Sequence, residues 1–261
     1  MKQPRPYGNA YGAASDSLYA AKEAYRTIRT NLMFSLAKPG CKTVMFTSSV
    51  SGEGKTTTSA NIAFSVARSN KKVLLIDLDL RNPHVHRILK KSNTPGLTNY
   101  LSGFNTLEEV IHKEVYPGLD VICAGTISPN PAEMIASEGT LSLINSLKEQ
   151  YDFIILDTPP ITLVSDALSV VPVTDGIVLV IRPKYTDRKE VRHAIDQLEF
   201  VGGKILGAVA NGVQQQKGTY GKRYGRYGYG RYSYAYGRNA GEAAPSEEKK
   251  EDQAEQAEQA E

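Results

Sequence analysis

The stretch from residue 43 to residue 58 places the strongest constraint on what this chain can fold into. It begins with an apolar, β-branched run, turns through Gly52 and Gly54, and continues with apolar residues at helical spacing. A strand, a glycine-containing turn and a helix around Gly-Lys-Thr are the context that a phosphate-binding loop requires. The glycines allow backbone N–H groups to converge on an anion, and the helix N-terminus adds positive partial charge. The stretch therefore predicts a nucleotide-binding loop.

Two side chains of this loop are predicted to act on the nucleotide directly. Lys55 is placed to reach the β- and γ-phosphates, and the hydroxyl of Thr56 is placed to bind Mg²⁺. The loop departs from the pattern G-x-x-x-x-G-K-[ST] at Ser49, where the pattern has glycine. The loop residues predicted to bind the nucleotide are Ser51, Gly52, Glu53, Gly54, Lys55, Thr56 and Thr57.

Two later apolar runs each end in carboxylates. Asp77 and Asp79 follow the run 73–76, and Asp157 follows the run 153–156. In an extended chain, residues two apart face the same way, so Asp77 and Asp79 are expected to project together from the end of a buried strand. In open parallel sheets, ligands bind at this edge. The pattern favours a role in Mg²⁺ binding or proton transfer over a simple turn cap.

The remaining pattern alternates strands with helices. This order predicts an α/β fold with a doubly wound, mostly parallel sheet of the P-loop NTPase type. A first helix is expected from Ser15 or Asp16 to about Leu36, and residues 82–150 are interpreted largely as short helices and loops. Further strands are predicted at Leu119–Cys123, Gly176–Ile181 and Ile205–Ala210, with a helix over 187–200. Asn211 follows the last predicted strand. Two roles are considered for its side chain, a contact with adenine and a cap of the strand end.

Composition bounds the class of protein. The 261 residues accommodate one large α/β domain with extensions, and a net charge of +3 argues against a dedicated nucleic-acid binder. The two cysteines, Cys41 and Cys123, are far apart in sequence, which is typical of a reduced, cytosolic protein without a disulfide framework. The N-terminus does not resemble a signal peptide, and the apolar runs are too short to span a bilayer. Membrane association is therefore expected to require a partner.

Three segments are predicted. Residues 1–14 are interpreted as a flexible arm, residues 15–213 as the P-loop domain, and residues 214–261 as a disordered tail with an acidic end. The tail holds seven of the 15 tyrosines of the chain, separated by glycine and arginine. These are Tyr220, Tyr224, Tyr227, Tyr229, Tyr232, Tyr234 and Tyr236.

Four motifs together resemble a known family, the bacterial tyrosine kinases of capsule and exopolysaccharide synthesis. Residues 49–56 are similar to its Walker A loop, residues 74–81 to its A′ box, and residues 154–159 to its Walker B motif. The helix motif E-x-x-R-x-x-R of the family is matched by Glu23, Arg26 and Arg29, and the tyrosine cluster is a fifth sign. The likeness is strongest to the short cytoplasmic form, which works with a separate membrane adaptor.

The resemblance implies a reaction. A P-loop kinase of this type would transfer the γ-phosphoryl group of ATP to tyrosines in the tail of a neighbouring copy and thereby regulate polysaccharide synthesis and export. The implied catalytic residues are Lys55, Asp77, Asp79 and Asp157. Among them, Asp77 is the candidate to orient the tyrosine hydroxyl and accept its proton, and Asp79 a supporting carboxylate. The implied Mg²⁺ ligands are Thr56, Asp77 and Asp157.

The resemblance also implies partners and a location. The chain is expected to form a ring of its own copies through Glu23, Arg26 and Arg29, and to meet a membrane adaptor, a tyrosine phosphatase and protein substrates. No nucleic-acid partner is expected. The implied location is the cytoplasm, with recruitment to the inner face of the cell membrane.

Two other functions compete with this interpretation. A partitioning or septum-site ATPase has a similar fold but carries a lysine four residues before Gly54, where this chain has Val50. Such ATPases also lack a tyrosine-rich tail. A third hypothesis is a binding protein, because interleaved arginine, glycine and tyrosine can stack on single-stranded nucleic acid.

Overall fold

The structure, a computed structural model, describes the backbone of residues 10–213 and the side chains of residues 19–213. Seven strands form one sheet in the order β3-β4-β2-β5-β1-β6-β7. The strands are β1 Lys42–Ser48, β2 Val73–Asp77, β3 Ile111–Tyr116, β4 Leu119–Ile122, β5 Phe153–Asp157, β6 Gly176–Ile181 and β7 Ile205–Ala210. The helices are α1 Ala10–Ser35, α2 Lys55–Ala67, α3 Val85–Leu89, α4 Leu97–Leu101, α5 Leu107–Val110, α6 Pro131–Ala136, α7 Glu138–Leu147 and α8 Arg188–Phe200, with a 3₁₀ segment at Ser165–Val173.

The sheet confirms the predicted doubly wound, mostly parallel fold. Strands β2, β5, β1 and β6 lie side by side and parallel, flanked by parallel β4 and β7. Only β3 of this sheet runs antiparallel, at one edge beside β4. The carboxyl ends of all the parallel strands therefore lie along the same edge of the sheet, the one formed by the strand ends, where α/β proteins bind their ligands.

Both faces of the central strands are buried, which explains their uninterrupted apolar sequences. Phe46 and Leu75 face the layer that contains α1 and α2, and Met45 and Leu74 face the opposite layer, which contains α6, α7 and α8. Each of these four side chains is 0% exposed. The two cores hold the strand ends, and thus the residues that follow them, in fixed register.

Strand β3 was not predicted. Its sequence, Ile-His-Lys-Glu-Val-Tyr, is half-exposed and mixes apolar with charged residues. The pairing with β4 shifts between His112 and Tyr116, and Glu114 has φ 48°. An edge strand with an irregularity lacks the clean alternation that identifies a strand from sequence.

The first helix begins at Ala10, not at Ser15 or Asp16, and ends at Ser35. Residues 10–14 are therefore helical rather than part of a flexible arm. Three of these five residues are alanines, which favour helix more than any other residue type. Within residues 10–213, no helix has the length and apolar character to cross a membrane. Residues 1–9 and the predicted tail, 214–261, with its seven tyrosines, lie outside the described residues.

Candidate phosphoryl-transfer site

The predicted phosphate loop joins β1 to α2 at the ligand-binding edge of the sheet. Gly52 and Gly54 have φ values of 81° and 88°, a left-handed conformation that favours glycine. A Cβ on Gly54 would lie 1.9 Å from Nδ2 of Asn211, so the close approach of these two residues also requires glycine. Helix α2 begins immediately afterwards at Lys55. Its free N–H groups and positive N-terminus suit the phosphates of a nucleotide.

Lys55 lies at the centre of the acidic residues. Its Nζ is 3.0 Å from Oδ2 of Asp79 and 3.4 Å from Oδ2 of Asp157, and it donates to the hydroxyl of Thr56 at 3.3 Å. Burial by itself lowers the pKa of Lys55, but attraction by Asp157 and Asp79 outweighs it, so the net pKa is raised. Lys55 is therefore charged at neutral pH.

Asp77 is fully buried at the end of β2. Its Oδ1 accepts a hydrogen bond from the backbone N–H of Asp79 at 3.1 Å. Its Oδ2 accepts from the N–H groups of His84 and Val85 at 3.2 and 3.1 Å. Burial, followed by repulsion from Asp157, raises the pKa of Asp77 to about 8. The carboxyl group thus organises the turn after β2 and has a pKa near neutrality, as a general base requires.

Asp157 ends the neighbouring strand β5. It is 0% exposed, and burial raises its pKa although Lys55 acts in the opposite direction. Its Oδ1 accepts a hydrogen bond from the hydroxyl of Ser59 at 3.2 Å. Ser59 was not predicted as a site residue. It lies four residues after Lys55, one helical turn along α2, and this spacing could have identified it.

A second unpredicted contact joins the segments that follow β2 and β5. Nε and Nη2 of Arg81 donate to the two carboxylate oxygens of Asp166 at 2.7 and 3.3 Å. Arg81 follows the carboxylates of β2, and Asp166 belongs to the 3₁₀ segment after β5. Meanwhile, Oδ1 of Asp79 accepts from the N–H of Asn82 at 3.1 Å. The segments that follow β2 and β5 are therefore held against each other.

The residues present fit a nucleotide with Mg²⁺. Within residues 19–213, no three His, Cys, Asp or Glu side chains are placed to hold a metal ion by themselves. Mg²⁺ commonly binds one or two carboxylates together with phosphates and water. The hydroxyl of Thr56 and the carboxylate of Asp157 flank Lys55 beside the phosphate loop and could supply such ligands.

Other predicted site residues make contacts of a different kind. The carboxylate of Glu53 is buried and accepts hydrogen bonds from Val50 within the loop and from Arg182 and Thr186 outside it. The Nδ2 of Asn211 donates to the carbonyl of Glu53 at 2.8 Å. Asn211 therefore stabilises the loop in this structure, and its adenine contact stays a prediction. Ser51 and Thr57 are exposed at the loop and the first turn of α2.

The predicted interface residues lie on α1, away from the strand ends. Glu23 and Arg26 form an exposed ion pair at 3.7 Å. Nη1 of Arg29 instead donates to the carbonyl of Ser65 on α2 at 2.7 Å. Arg29 therefore attaches α1 to the rest of the domain, whereas Glu23 and Arg26 remain accessible.

The fold and the loop define a class, the P-loop nucleotide-binding proteins. A model of the AAA domain family matches residues 41–204, which contain the phosphate loop and all four acidic or basic residues predicted to be catalytic. This match confirms the predicted P-loop fold.

Comparison with known proteins identifies the family within this class. The chain is 43% identical to tyrosine-protein kinase YwqD of Bacillus subtilis over 206 residues, which cover 79% of this chain and 86% of the relative. The kinase domain of Escherichia coli tyrosine kinase ETK superposes with a TM-score of 0.74 at 35% identity, covering 83% of this chain and 85% of that structure. The chimerical protein CapA2B2 superposes with a TM-score of 0.67 at 35% identity, covering 71% and 82%. The chain belongs to the bacterial tyrosine-protein kinases, which confirms the resemblance.

Proposed function

We propose that this tyrosine kinase transfers the γ-phosphoryl group of MgATP to the C-terminal tyrosine cluster of a neighbouring copy, and that this regulates capsular or extracellular polysaccharide synthesis and export. The observation that carries the proposal is the position of Lys55. It lies at the phosphate loop within 3.4 Å of both Asp79 and Asp157. The site thus combines a cation for the transferring phosphate with carboxylates for metal and proton.

The phosphate loop would bind the β- and γ-phosphates. Its backbone N–H groups and Lys55 supply positive charge, and phosphoryl transfer depends mainly on such positioning and neutralisation. Thr56 and Asp157 would hold Mg²⁺, which supplies further charge neutralisation at the phosphates when bound. Binding of the nucleotide would draw Lys55 from its two carboxylates toward the phosphates.

Asp77 is the proposed proton acceptor, and Asp79 a supporting carboxylate. A bond forms between the tyrosine Oη and the γ-phosphorus while the bond from that phosphorus to the β–γ bridging oxygen breaks. ADP leaves, and the phenolic proton passes to Asp77. The three backbone hydrogen bonds on Asp77 hold its carboxyl group in one orientation, and its pKa near neutrality allows it to take up and release a proton.

Transfer between copies would use a closed, head-to-tail ring. The exposed Glu23 and Arg26 are suited to such an interface, because neither is fixed to the rest of its own domain. Phosphorylation adds about −1.5 to −2 charges per tyrosine at neutral pH. The negative charge of seven phosphates would exceed the positive charge of the six basic residues from Lys217 to Arg238. Repulsion from the active-site carboxylates would then release the tail and open the ring.

A membrane adaptor would recruit and activate the kinase, and a tyrosine phosphatase would reverse the reaction. The family resemblance and the likeness to the chimerical protein CapA2B2 support the adaptor. Its cytoplasmic segment would dock beside the nucleotide and order the phosphate loop. Adding this segment should raise both MgATP affinity and kinase activity, and unchanged values would count against the adaptor.

Mixing a chain that lacks the kinase activity with a chain that lacks the tail tyrosines tests transfer between copies. One chain carries Lys55→Met with all seven tail tyrosines intact, and the other carries seven Tyr→Phe changes with Lys55 intact. We expect each alone to give no tail phosphotyrosine and the mixture to label the Lys55→Met tail. Labelling absent from the mixture but present in wild type would overturn transfer between copies. ADP production without any phosphotyrosine in wild type would favour the partitioning-type ATPase.

A further inference from the structure

The carboxylate of Glu53 connects the phosphate loop to another part of the domain. We propose that Glu53 is a positioning residue that joins the loop to the segment 182–186 after β6, so that nucleotide binding and the conformation of this segment depend on each other. The inference rests on the proposed binding of MgATP at this loop. Glu53 lies in the middle of the loop sequence but is only 1% exposed.

The two carboxylate oxygens serve different segments. Oε2 accepts from the backbone N–H of Val50 at 2.9 Å, within the phosphate loop itself. Oε1 accepts from the backbone N–H of Arg182 at 3.0 Å and from the hydroxyl of Thr186. Three donors from two segments thus converge on one acceptor group. A carboxylate satisfies all three, whereas an amide turns an N–H toward a donor on one side or the other.

Segment 182–186 also covers the loop directly. Nη1 of Arg182 lies 3.4 Å from the carbonyl of Gly52, and its guanidinium lies 5.2 Å above the ring of Tyr185. A Cβ on Gly52 would lie 3.1 Å from the hydroxyl of Tyr185. The turn at Gly52 therefore packs against this arginine–tyrosine pair.

The two segments differ in how accessible they are. Glu53 is buried, but Arg182, Pro183, Lys184 and Tyr185 are exposed. A ligand that fixes the phosphate loop would, through Glu53, also fix this exposed segment. Linkage makes the effect reciprocal, because whatever restrains segment 182–186 would change nucleotide affinity by the same factor.

Calorimetric titration with MgADP tests the connection in the full-length chain. We expect Glu53→Gln to weaken binding by roughly tenfold, because one of its three donors loses its acceptor. Thr186→Val should weaken binding by about threefold, and the double variant should be no weaker than Glu53→Gln alone, because both changes break the same connection. Additive losses in the double variant would contradict the proposed route through Thr186.

Asp187→Ala is the matched control. Asp187 adjoins the segment and caps α8 by accepting from the N–H of Lys189 at 2.8 Å, without a hydrogen bond to Glu53. This variant loses the cap and should therefore lose stability, but it should keep wild-type MgADP affinity within about twofold. An equal loss of affinity in Asp187→Ala would reduce the effect of Glu53→Gln to general destabilisation and overturn the inference.

Tryptic cleavage after Lys184 and Arg188 gives a second measurement, which reports on the accessibility of the segment and its surroundings. We expect MgADP to slow cleavage at these positions in wild type but not in Glu53→Gln saturated with MgADP. If Glu53→Gln kept both its protection from trypsin and its affinity for MgADP, the inference would be overturned, but the proposed nucleotide site would not. Failure of wild type to bind MgADP would overturn the proposed nucleotide site and the inference with it.

Discussion

Asp77 and Asp157 are direct register partners on the adjacent parallel strands β2 and β5, and both side chains are completely buried. Two carboxylates so placed repel each other, which contributes to the raised pKa of Asp77. Lys55 lies beside Asp157 and supplies the compensating positive charge. The sheet thus holds two buried carboxylates at its ligand-binding edge. Their negative charge is balanced by Lys55, the residue that is proposed to move toward the phosphates when the nucleotide binds.

The first prediction concerns pH and stability. An aspartate ordinarily has a pKa of about 3.9, whereas that of Asp77 is about 8 in the folded protein. The folded state therefore binds more protons than the unfolded state between these values, and the free energy of unfolding falls as the pH rises through that window. The nucleotide-free protein should melt at a higher temperature at pH 6 than at pH 8.5.

Asp77→Asn provides the comparison, because asparagine does not titrate. The drop in melting temperature between pH 6 and pH 8.5 should be smaller in this variant, whatever its starting stability. An equal drop in both proteins would show that Asp77 is not the group responsible.

The second prediction concerns the ion pair between Arg81 and Asp166. The Asp166 side chain is 2% exposed, so Arg81→Ala leaves a buried carboxylate without its partner. We expect the free energy of unfolding to fall by about 2 kcal/mol, less than for a fully buried pair because Arg81 is partly exposed. Urea unfolding measures the change.

Asp166→Asn in the Arg81→Ala background is the control. It removes the unpaired charge and should recover at least half of the lost stability. A loss below about 0.5 kcal/mol in Arg81→Ala would mean that the pair contributes no more than an ordinary surface contact.

The third prediction separates assembly from folding on α1. Arg26→Ala should reduce the size of the particle measured by light scattering without lowering the melting temperature, because the exposed Arg26 side chain forms just a surface ion pair with Glu23 within the described part of the chain. Arg29→Ala should lower the melting temperature as well, because it loses the hydrogen bond to Ser65. A particle size unchanged in Arg26→Ala, or a wild type that is monomeric at high concentration, would exclude this residue from an interface.

The sequence allowed the central strands to be predicted because both of their faces are buried. Strands β2, β5 and β6 lie within one residue of their predicted positions. A buried parallel strand must be apolar throughout, and the polar residues that end it then stand out, as Asp77 and Asp157 do. The phosphate loop was predictable for a similar reason, since its function fixes glycine and lysine at set spacing.

Contacts between distant parts of the chain could not be predicted in this way. Glu53 and Thr186, and Arg81 and Asp166, are separated by 133 and 85 residues. Each residue has a local interpretation, a loop residue or a charged turn, and only the packing of the strands shows which partner it meets. Ser59 is intermediate, because helical spacing brings it to the side of α2 that carries Lys55.

The rate of tyrosine phosphorylation in Lys55→Met tests the central claim most directly. The measurement is phosphotyrosine formed per minute on the intact tail at saturating MgATP, with circular dichroism to establish that the variant is folded. Because Lys55 is proposed to stabilise the negative charge of the transferring phosphate, the account predicts a fall of about a thousandfold or more relative to wild type. A folded Lys55→Met protein that phosphorylates tyrosine within about tenfold of the wild-type rate would contradict the account.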